Sequence, residues 1–214
     1  SGDFYWFNHF NEFSIIAAVD CTGHGVPGAF MSLIGYNQLN RIVNEEKITD
    51  PKDILLHLNN GVLGALHKNE SESKDGMDIA ICKINHTKNT MEYAGAMRPL
   101  WIVRKGNEPE LIEVKADKIP IGTKQKDREE TIRYTTHEIA LNKSDVFYIF
   151  TDGYADQFGG EKDKKYSTAR FKELLRKNAA NDFAEQEKNI REEHYSWKQD
   201  HEQVDDILVI GFTV

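Results

Sequence analysis

The order of helical and strand-like segments predicts an α+β fold. A strand is followed by two helical stretches, a run of strands, a charged helical region and a last apolar strand. Strands that are grouped together, rather than alternating with helices, favour sheets with helices packed outside them. The 214 residues contain no internal repeat and no low-complexity linker, so residues 1–214 are expected to form one domain.

The N-terminal part contains the first strand and the first two helices. Residues 13–19 form a short apolar run, which is typical of a buried strand. A glycine-rich turn follows, and Pro27 begins a helical stretch that reaches Val43, because proline is accommodated in a first helical turn. Apolar residues recur at helical spacing over 51–68, which predicts the second helix.

The remainder of the chain predicts most of the sheet. From Met77 the apolar period changes to two, and segments 79–84 and 90–94 predict a hairpin across 86–89. Further strands are predicted over 100–103, 133–139, 146–150 and 207–212. Between the last two of these, residues 166–199 are predicted to be helical.

Composition argues against several classes of protein. A formal net charge of -8 argues against nucleic-acid binding, although the acidity alone could equally serve surface solvation. Cys21 and Cys82 lie far apart without a partner motif, which predicts no disulfide framework and a reducing, cytoplasmic location. No apolar run approaches the roughly 18 residues that would span a bilayer.

Acidic residues recur at the ends of the apolar strands. Asp20 ends the first buried strand, Asp152 follows 146–151, the pair Asp205 and Asp206 begins the last strand, and Asp3 lies near the start. A carboxylate beside a buried strand is costly unless it is paired or binds a cation. Several at one edge would form an all-oxygen site suited to Mg²⁺ or Mn²⁺. The alternative for each aspartate alone is a turn former or helix cap.

Six short motifs carry a resemblance to a known family. They are Ser1-Gly2-Asp3-Phe4-Tyr5, Val19-Asp20-Cys21-Thr22-Gly23-His24-Gly25, Tyr93-Ala94-Gly95-Ala96, Ile119-Pro120-Ile121-Gly122, Phe150-Thr151-Asp152-Gly153 and Val204-Asp205-Asp206-Ile207. In this order and spacing they resemble the metal-dependent (PPM, 2C-type) serine/threonine phosphatases. Within these, they resemble the bacterial branch of the sporulation stage II E phosphatase and the stress-response phosphatases.

The resemblance implies a central antiparallel β-sandwich flanked by helices, with two divalent metal ions, Mn²⁺ or Mg²⁺, at one end. Carried over by motif, Asp20 would bridge both metals, and the backbone carbonyl of Cys21 would be a further ligand. Asp152 and Asp205 would hold the other metal, because the family's ligand is the first aspartate of the final pair. Asp3 would act through metal-bound water.

The resemblance also implies the reaction and the partners. Two dications roughly 3.5–4 Å apart lower the pKa of a bridging water, so that hydroxide attacks the phosphorus of a phosphoserine or phosphothreonine in line. The implied substrate is a phosphoprotein of the anti-sigma-factor-antagonist type. We further expect a longer parent chain with an upstream sensor domain, with or without attachment to a membrane. A homodimer is expected as well.

Two motif positions depart from the branch pattern, and a third residue stays undecided. Trp6 stands where the branch often has an acidic residue, and Ala96-Met97 replaces a common histidine. His24 is either a general acid or a structural part of its turn, because related enzymes place a histidine two rather than four residues after the ligand. Cys21 is not expected to be a nucleophile, since no amide-rich loop with an arginine surrounds it.

Three other polar residues have open roles. Asp75 and Asp78 either hold a third, weaker metal or form a solvated turn at the entrance of the hairpin, and the turn is favoured. Arg98 could bind phosphate, although an arginine before a proline at a strand edge is expected to be exposed.

Two other functions compete with the phosphatase prediction. The first is a degenerate, catalytically weak or inactive phosphatase fold that binds or senses a partner. Retention of Asp20, Asp152 and Asp205 favours the enzyme instead. The second is a metal-dependent nucleotide cyclase or nuclease, which would need basic or glycine-rich phosphate-binding segments that the sequence lacks.

Overall fold

A computed structural model of the chain describes residues 2–23, 25–66, 75–106, 108–124 and 132–214. In chain order, its strands are β1 (Phe4–His9), β2 (Phe13–Cys21), β3 (Met77–Asn85), β4 (Thr90–Ala96), β5 (Leu100–Arg104), β6 (Glu110–Val114), β7 (His137–Ala140), β8 (Val146–Phe150), β9 (Phe158–Gly159), β10 (Lys164–Lys165) and β11 (Val209–Phe212). Its helices are α1 (Gly25–Asn40), α2 (Pro51–Ala65), α3 (Gly153–Asp156), α4 (Thr168–Asn178) and α5 (Phe183–Lys198). A π-helical turn, Arg41–Glu45, extends α1.

Two antiparallel sheets form a sandwich. The first has the strand order β1-β2-β3-β4-β7 and the second β11-β8-β5-β6, while β9 and β10 form a separate short ribbon. The two sheets meet through a shared apolar core, to which β3 contributes Cys82, β5 Ile102 and β8 Phe147. This arrangement confirms the predicted α+β sandwich.

Helices cover the outer face of each sheet. On the first sheet, α2 buries Ile54, Leu58 and Val62 at helical spacing. On the second sheet, Phe171 of α4 packs against Trp101, with ring centroids 5.5 Å apart. Burial of one apolar stripe per helix accounts for the layer order helix, sheet, sheet, helix.

The start of α2 is fixed locally. The Asp50 side chain accepts a hydrogen bond from the backbone N–H of Lys52, and Pro51 occupies the first helical position. An aspartate cap followed by proline is a strong start signal because proline has no N–H to leave unsatisfied. The predicted start at residue 51 is confirmed.

Besides the short elements α3, β9 and β10, which were not predicted, the structure differs from the predicted elements in three places. The helical segment 166–199 is two helices, because Asp182 caps α5 by accepting from the backbone N–H of Glu185. Strand β6 was not predicted: it is an edge strand with charged residues at both faces, so it lacks a clear alternation. The predicted strands 133–139 and 207–212 are shorter, at His137–Ala140 and Val209–Phe212.

Composition predicts that the chain has no disulfide framework and no membrane-spanning segment. Cys21 and Cys82 are both buried and free. In the parts of the chain that are described, no helix has the length and apolarity needed to cross a membrane.

Candidate active site

Carboxylates from both sheets meet at one end of the sandwich. Asp20 is the penultimate residue of β2 and lies directly opposite Asp78 of β3 in the antiparallel register. Asp152 follows β8 in the other sheet, and its backbone N–H donates to Asp20 Oδ2 at 3.4 Å. The ends of β2, β3 and β8 therefore share one edge.

The last strand and the N-terminus bring further carboxylates to this edge. The pairing of β11 with β8 continues past the strands, where Thr151 N–H donates to the carbonyl of Leu208 at 3.0 Å. This places the backbone of Asp206 against Gly153. The charges of Asp205 and Asp206 act on Asp3, although Asp205 is itself exposed. The backbone N–H of Gly2 donates to Asp206 Oδ2 at 2.6 Å, which fixes the adjoining Asp3 here as well.

These residues are called the carboxylate cluster below. Its members are Asp3, Asp20, Asp78, Asp152, Asp205 and Asp206.

Burial and like charge make the carboxylate cluster electrostatically unfavourable. Burial, with Asp152 and Asp3 adding to it, raises the pKa of Asp20 to about 7 against the opposing charge of Arg98. Burial, together with Asp206 and Asp205, raises the pKa of Asp3 to about 6, although a hydrogen bond with Thr151 opposes this. Carboxylates in such surroundings are stabilised by positive charge.

The approach of Asp206 to Asp152 requires a glycine at residue 153. A Cβ atom built on Gly153 would lie 2.0 Å from the carbonyl oxygen of Asp206, which is backbone and cannot rotate away. The Asp152-Gly153 motif is therefore a packing requirement of the site.

Replacement of Gly153 by alanine should force this contact apart. We expect Gly153→Ala to lower the free energy of unfolding by about 1–3 kcal/mol, the usual cost of overpacking, in urea denaturation. Gly64→Ala is the matched control, because Gly64 lies in α2 with nothing within 4 Å of its Cβ position. The control should gain up to about 1 kcal/mol from helix propensity. Equal stability of Gly153→Ala and the wild type would contradict the packing requirement.

Arg98 was expected to be exposed, but its side chain is largely buried. Only 15% of its side chain is exposed, and its Nη2 lies 2.7 Å from Asp152 Oδ2, 2.8 Å from Asp78 Oδ2 and 3.5 Å from Asp20 Oδ2. Burial would lower the pKa of the guanidinium, but Asp152, Asp20 and Asp78 together raise it above its ordinary value. No local pattern in the sequence predicts this contact, because the partners of Arg98 lie 20 or more residues away along the chain.

Asp78 differs from the favoured expectation of a solvated turn, whereas Asp75 agrees with it. Asp78 lies within β3 with 20% of its side chain exposed, and burial raises its pKa although Arg98 opposes the effect. Asp75 is exposed, just before β3. Of the two, Asp78 is therefore the one that the structure places in the carboxylate cluster.

The other residues singled out from the sequence are placed as follows. Cys21 ends β2, and burial raises the pKa of its thiol to about 12, so the nucleophilic thiolate is disfavoured. Trp6 is buried and donates from Nε1 to Asn40 Oδ1 at 3.0 Å, on the α1 side of the sheet. His24 lies outside the described residues.

The chemistry of the donor set fits a hard divalent cation. All six side chains offer carboxylate oxygens, the ligands that Mg²⁺ and Mn²⁺ prefer. Over the described ranges, no three His, Cys, Asp or Glu side chains are arranged as a ready-made ion site. The positive charge between Asp20, Asp78 and Asp152 comes from Arg98.

The chain was compared with known families and structures. The family model described as stage II sporulation protein E (SpoIIE) matches residues 14–214. The SiaA-PP2C domain of Pseudomonas aeruginosa is similar with a TM-score of 0.87 and 28% identity, over 100% of this chain and 80% of that one. A search of curated proteins gives no match.

Two more distant structures share the fold. The PP2C phosphatase domain of SpoIIE from Bacillus subtilis, solved with a fragment of its regulatory domain, gives a TM-score of 0.72 at 20% identity, over 99% of this chain and 57% of that one. RsbX, solved in complex with magnesium, gives 0.63 at 17% identity, over 98% of this chain and 85% of that one.

The family match covers nearly all of the chain, including the segments that carry Asp20, Asp152 and Asp205. The fold agrees with it. The chain belongs to the stage II sporulation protein E (SpoIIE) family of metal-dependent, PP2C-type serine/threonine protein phosphatases.

Proposed function

We propose that this chain is a catalytically competent phosphatase that hydrolyses phosphoserine or phosphothreonine esters on a partner protein. The observation that carries the proposal is the carboxylate cluster, whose members come from both sheets and from the N-terminus. Burial and mutual repulsion raise the pKa of Asp20 to about 7 and that of Asp3 to about 6, so cations bound there would be strongly favoured.

The residues divide into ligands and supporting groups. Asp20 would bridge two divalent ions, Mn²⁺ or Mg²⁺, with the carbonyl of Cys21 as a further ligand, and Asp152 and Asp205 would hold the second ion. Asp3 would position water by hydrogen bonding. When bound, the two ions supply a water activated for attack on phosphorus and positive charge against the phosphoryl oxygens.

Backbone contacts would keep these ligands in place during the reaction. The Asp152 N–H orients Asp20 through Oδ2, and the Asp206 N–H orients Asp205 through Oδ1 at 2.8 Å. Preorganised ligands reduce the structural rearrangement that the transition state requires. A covalent intermediate on Cys21 is not needed, in accordance with its raised thiol pKa.

The substrate and the setting of the domain are proposed from the family. We infer a small phosphoprotein of the anti-sigma-factor-antagonist type as substrate, and a cytoplasmic location for residues 1–214 as one catalytic domain. An upstream sensor domain and a homodimer belong to the same proposal. The SpoIIE structure of Bacillus subtilis includes part of a regulatory domain, which supports the first of these.

The proposal is tested by Mn²⁺-dependent hydrolysis of p-nitrophenyl phosphate and of a phosphothreonine peptide. Asp152→Asn should lower kcat by at least about a hundredfold, because several kcal/mol of metal-based charge stabilisation are at stake. Asp163→Asn is the control: Asp163 has 69% of its side chain exposed and a φ of 46°, which asparagine tolerates. Equal rates for Asp152→Asn and wild type would refute the role of Asp152.

The alternative function is a module that binds or senses a partner without hydrolysis. The contact of Arg98 with Asp20 and Asp152 favours this alternative, because a guanidinium already balances part of the carboxylate charge. Absence of hydrolysis with Mn²⁺, Mg²⁺ and every other divalent ion tried would support the alternative and overturn the enzymatic proposal.

A further inference from the structure

Arg98 and a divalent cation would draw on the same carboxylate oxygens. The Oδ2 atoms of Asp152 and Asp20, two of the proposed metal ligands, lie 2.7 Å and 3.5 Å from Arg98 Nη2. A carboxylate oxygen that faces a guanidinium at hydrogen-bond distance cannot accept a dication at the same place without strong repulsion between the two positive charges. The Arg98 side chain is largely shielded from solvent, so water and salt screen this repulsion only weakly.

The β4–β5 turn holds Arg98 in this position. Met97 adopts a φ of 66°, which is unfavourable for a residue other than glycine and persists only where neighbouring contacts enforce it. Arg98 N–H donates to the carbonyl of Ala96 at 2.8 Å, and the hydroxyl of buried Tyr93 donates to the carbonyl of Arg98 at 2.6 Å. The turn therefore directs the guanidinium at the carboxylate cluster, and Arg98 does not behave as a free surface arginine.

One partner of Arg98 is not among the proposed ligands. Asp78 Oδ2 lies 2.8 Å from Nη2 and belongs to β3, opposite Asp20 in the register. If cations take Asp20 and Asp152, Asp78 still offers the guanidinium a charged hydrogen-bond partner next to the site. A guanidinium that keeps one such partner can leave the other two at little cost in desolvation.

We propose that Arg98 is a tethered counter-ion that competes with the divalent cations for Asp20 and Asp152, and so sets the cation concentration at which the site fills. Asp78 retains the guanidinium beside the site when the cations bind. Arg98 is thus a positioning residue that acts through the metal ligands. This inference rests on the metal-binding part of the proposed function.

The test measures Mn²⁺ binding directly, by isothermal titration calorimetry of protein stripped with chelator and then dialysed. Arg98→Gln removes the charge and should lower the apparent dissociation constant for Mn²⁺ by at least about tenfold, since a unit charge within 4 Å is removed from a poorly solvated site. Arg98→Lys keeps the charge and should bind Mn²⁺ much as the wild type does. Arg104→Gln, which breaks the ion pair with Asp145 elsewhere in the fold, should leave the affinity unchanged.

Thermal denaturation supplies a second readout that does not depend on activity. Without Mn²⁺, Arg98→Gln should have a lower Tm than the wild type, because its carboxylates lack a counter-ion. With saturating Mn²⁺ the difference should shrink or reverse, whereas any deficit of Arg104→Gln should be the same with and without the ion. A variant Arg98→Gln that unfolds when Mn²⁺ is removed and refolds on its return would be the extreme form of the expected result.

The outcomes separate this inference from the function on which it rests. Mn²⁺ binding of equal strength to wild type and Arg98→Gln would overturn the competition and leave the metal-dependent function standing. Binding to Arg98→Lys as tight as to Arg98→Gln would also overturn it, because charge would not be the cause. Binding to Arg98→Gln alone would support it, and binding to none of the proteins would refute the metal site and the inference together.

Discussion

Asp20→Asn is expected to abolish Mn²⁺-dependent phosphatase activity while the protein without divalent ions becomes as stable as the wild type or more stable. Asp20 is the proposed bridging ligand, so its loss removes the charge that would hold both ions. Metal ions contribute several kcal/mol of transition-state stabilisation, and about 1.4 kcal/mol corresponds to a factor of ten in rate. The expected loss in kcat is therefore about a thousandfold.

The effect on stability has the opposite sign because the carboxylate is unfavourable in the fold. Burial and its carboxylate neighbours raise the pKa of Asp20 to about 7, so its charged form destabilises the fold near and above that pH. Asparagine has nearly the same shape without the charge, and Arg98 keeps Asp78 and Asp152 as partners.

The measurements are kcat with p-nitrophenyl phosphate in saturating Mn²⁺ and urea denaturation in chelator at pH 8. Asp163→Asn serves again as the exposed control, with unchanged kcat and unchanged stability. Retention of wild-type kcat by Asp20→Asn would refute its role as a ligand. A large loss of stability in chelator would show that the carboxylate is needed for the fold itself.

Without divalent ions, the stability of the protein is expected to fall as the pH rises from about 4 to about 7. The ordinary pKa of an aspartate is 3.8, whereas that of Asp3 is raised to about 6 and that of Asp20 to about 7. The folded state therefore holds these two protons more tightly than the unfolded state does. Their stabilisation is complete below the ordinary pKa and is lost as the pH rises through the raised values.

The size of this pH effect is several kcal/mol. Each pH unit over which one carboxyl is protonated only in the folded state changes the free energy of unfolding by about 1.4 kcal/mol. Urea denaturation in chelator at several pH values measures the slope, and the difference between wild type and Asp20→Asn isolates the contribution of Asp20. Slopes of equal size in the two proteins would contradict the raised pKa.

With Mn²⁺ bound, the stability of the protein should instead increase as the pH rises. The ion binds deprotonated carboxylates, so its stabilising effect should increase with pH over the same range. The wild type in saturating Mn²⁺ should then be most stable where the protein in chelator is least stable.

Much of the fold could be predicted because burial imposes a local pattern. The apolar run 13–19 became β2, which is buried on both faces, and the residues at helical spacing after Pro51 became α2, which buries one apolar stripe. Strand β6 could not be predicted in this way. It lies at a sheet edge with charged residues on it, and its pairing with β5 is decided by the neighbouring strand.

The division at 179–182 between α4 and α5 shows a second limit of predicting the fold from the sequence. The break depends on a cap: Asp182 accepts a hydrogen bond from Glu185 N–H, which starts a new helix. An aspartate before a helical segment indicates such a cap, but many other aspartates in the sequence could indicate one equally well.

For the candidate site, the sequence determined the carboxylates and their order along the chain. Asp3, Asp20, Asp152 and Asp205 are recognisable because each stands in a short motif beside an apolar strand. Their role as ligands stays a prediction, but their gathering at one end of the sandwich agrees with it. The family itself follows from the same motifs.

Only the tertiary structure decided which charge lies among those carboxylates. Arg98 reaches Asp152 across 54 positions of sequence and Asp78 across 20, through a turn whose shape depends on Met97 and Tyr93. No local pattern encodes such a contact, because its energy comes from charges brought together by two different sheets. The sequence thus specifies the carboxylates that are proposed as cation ligands, and the packing of the sheets places Arg98 among them.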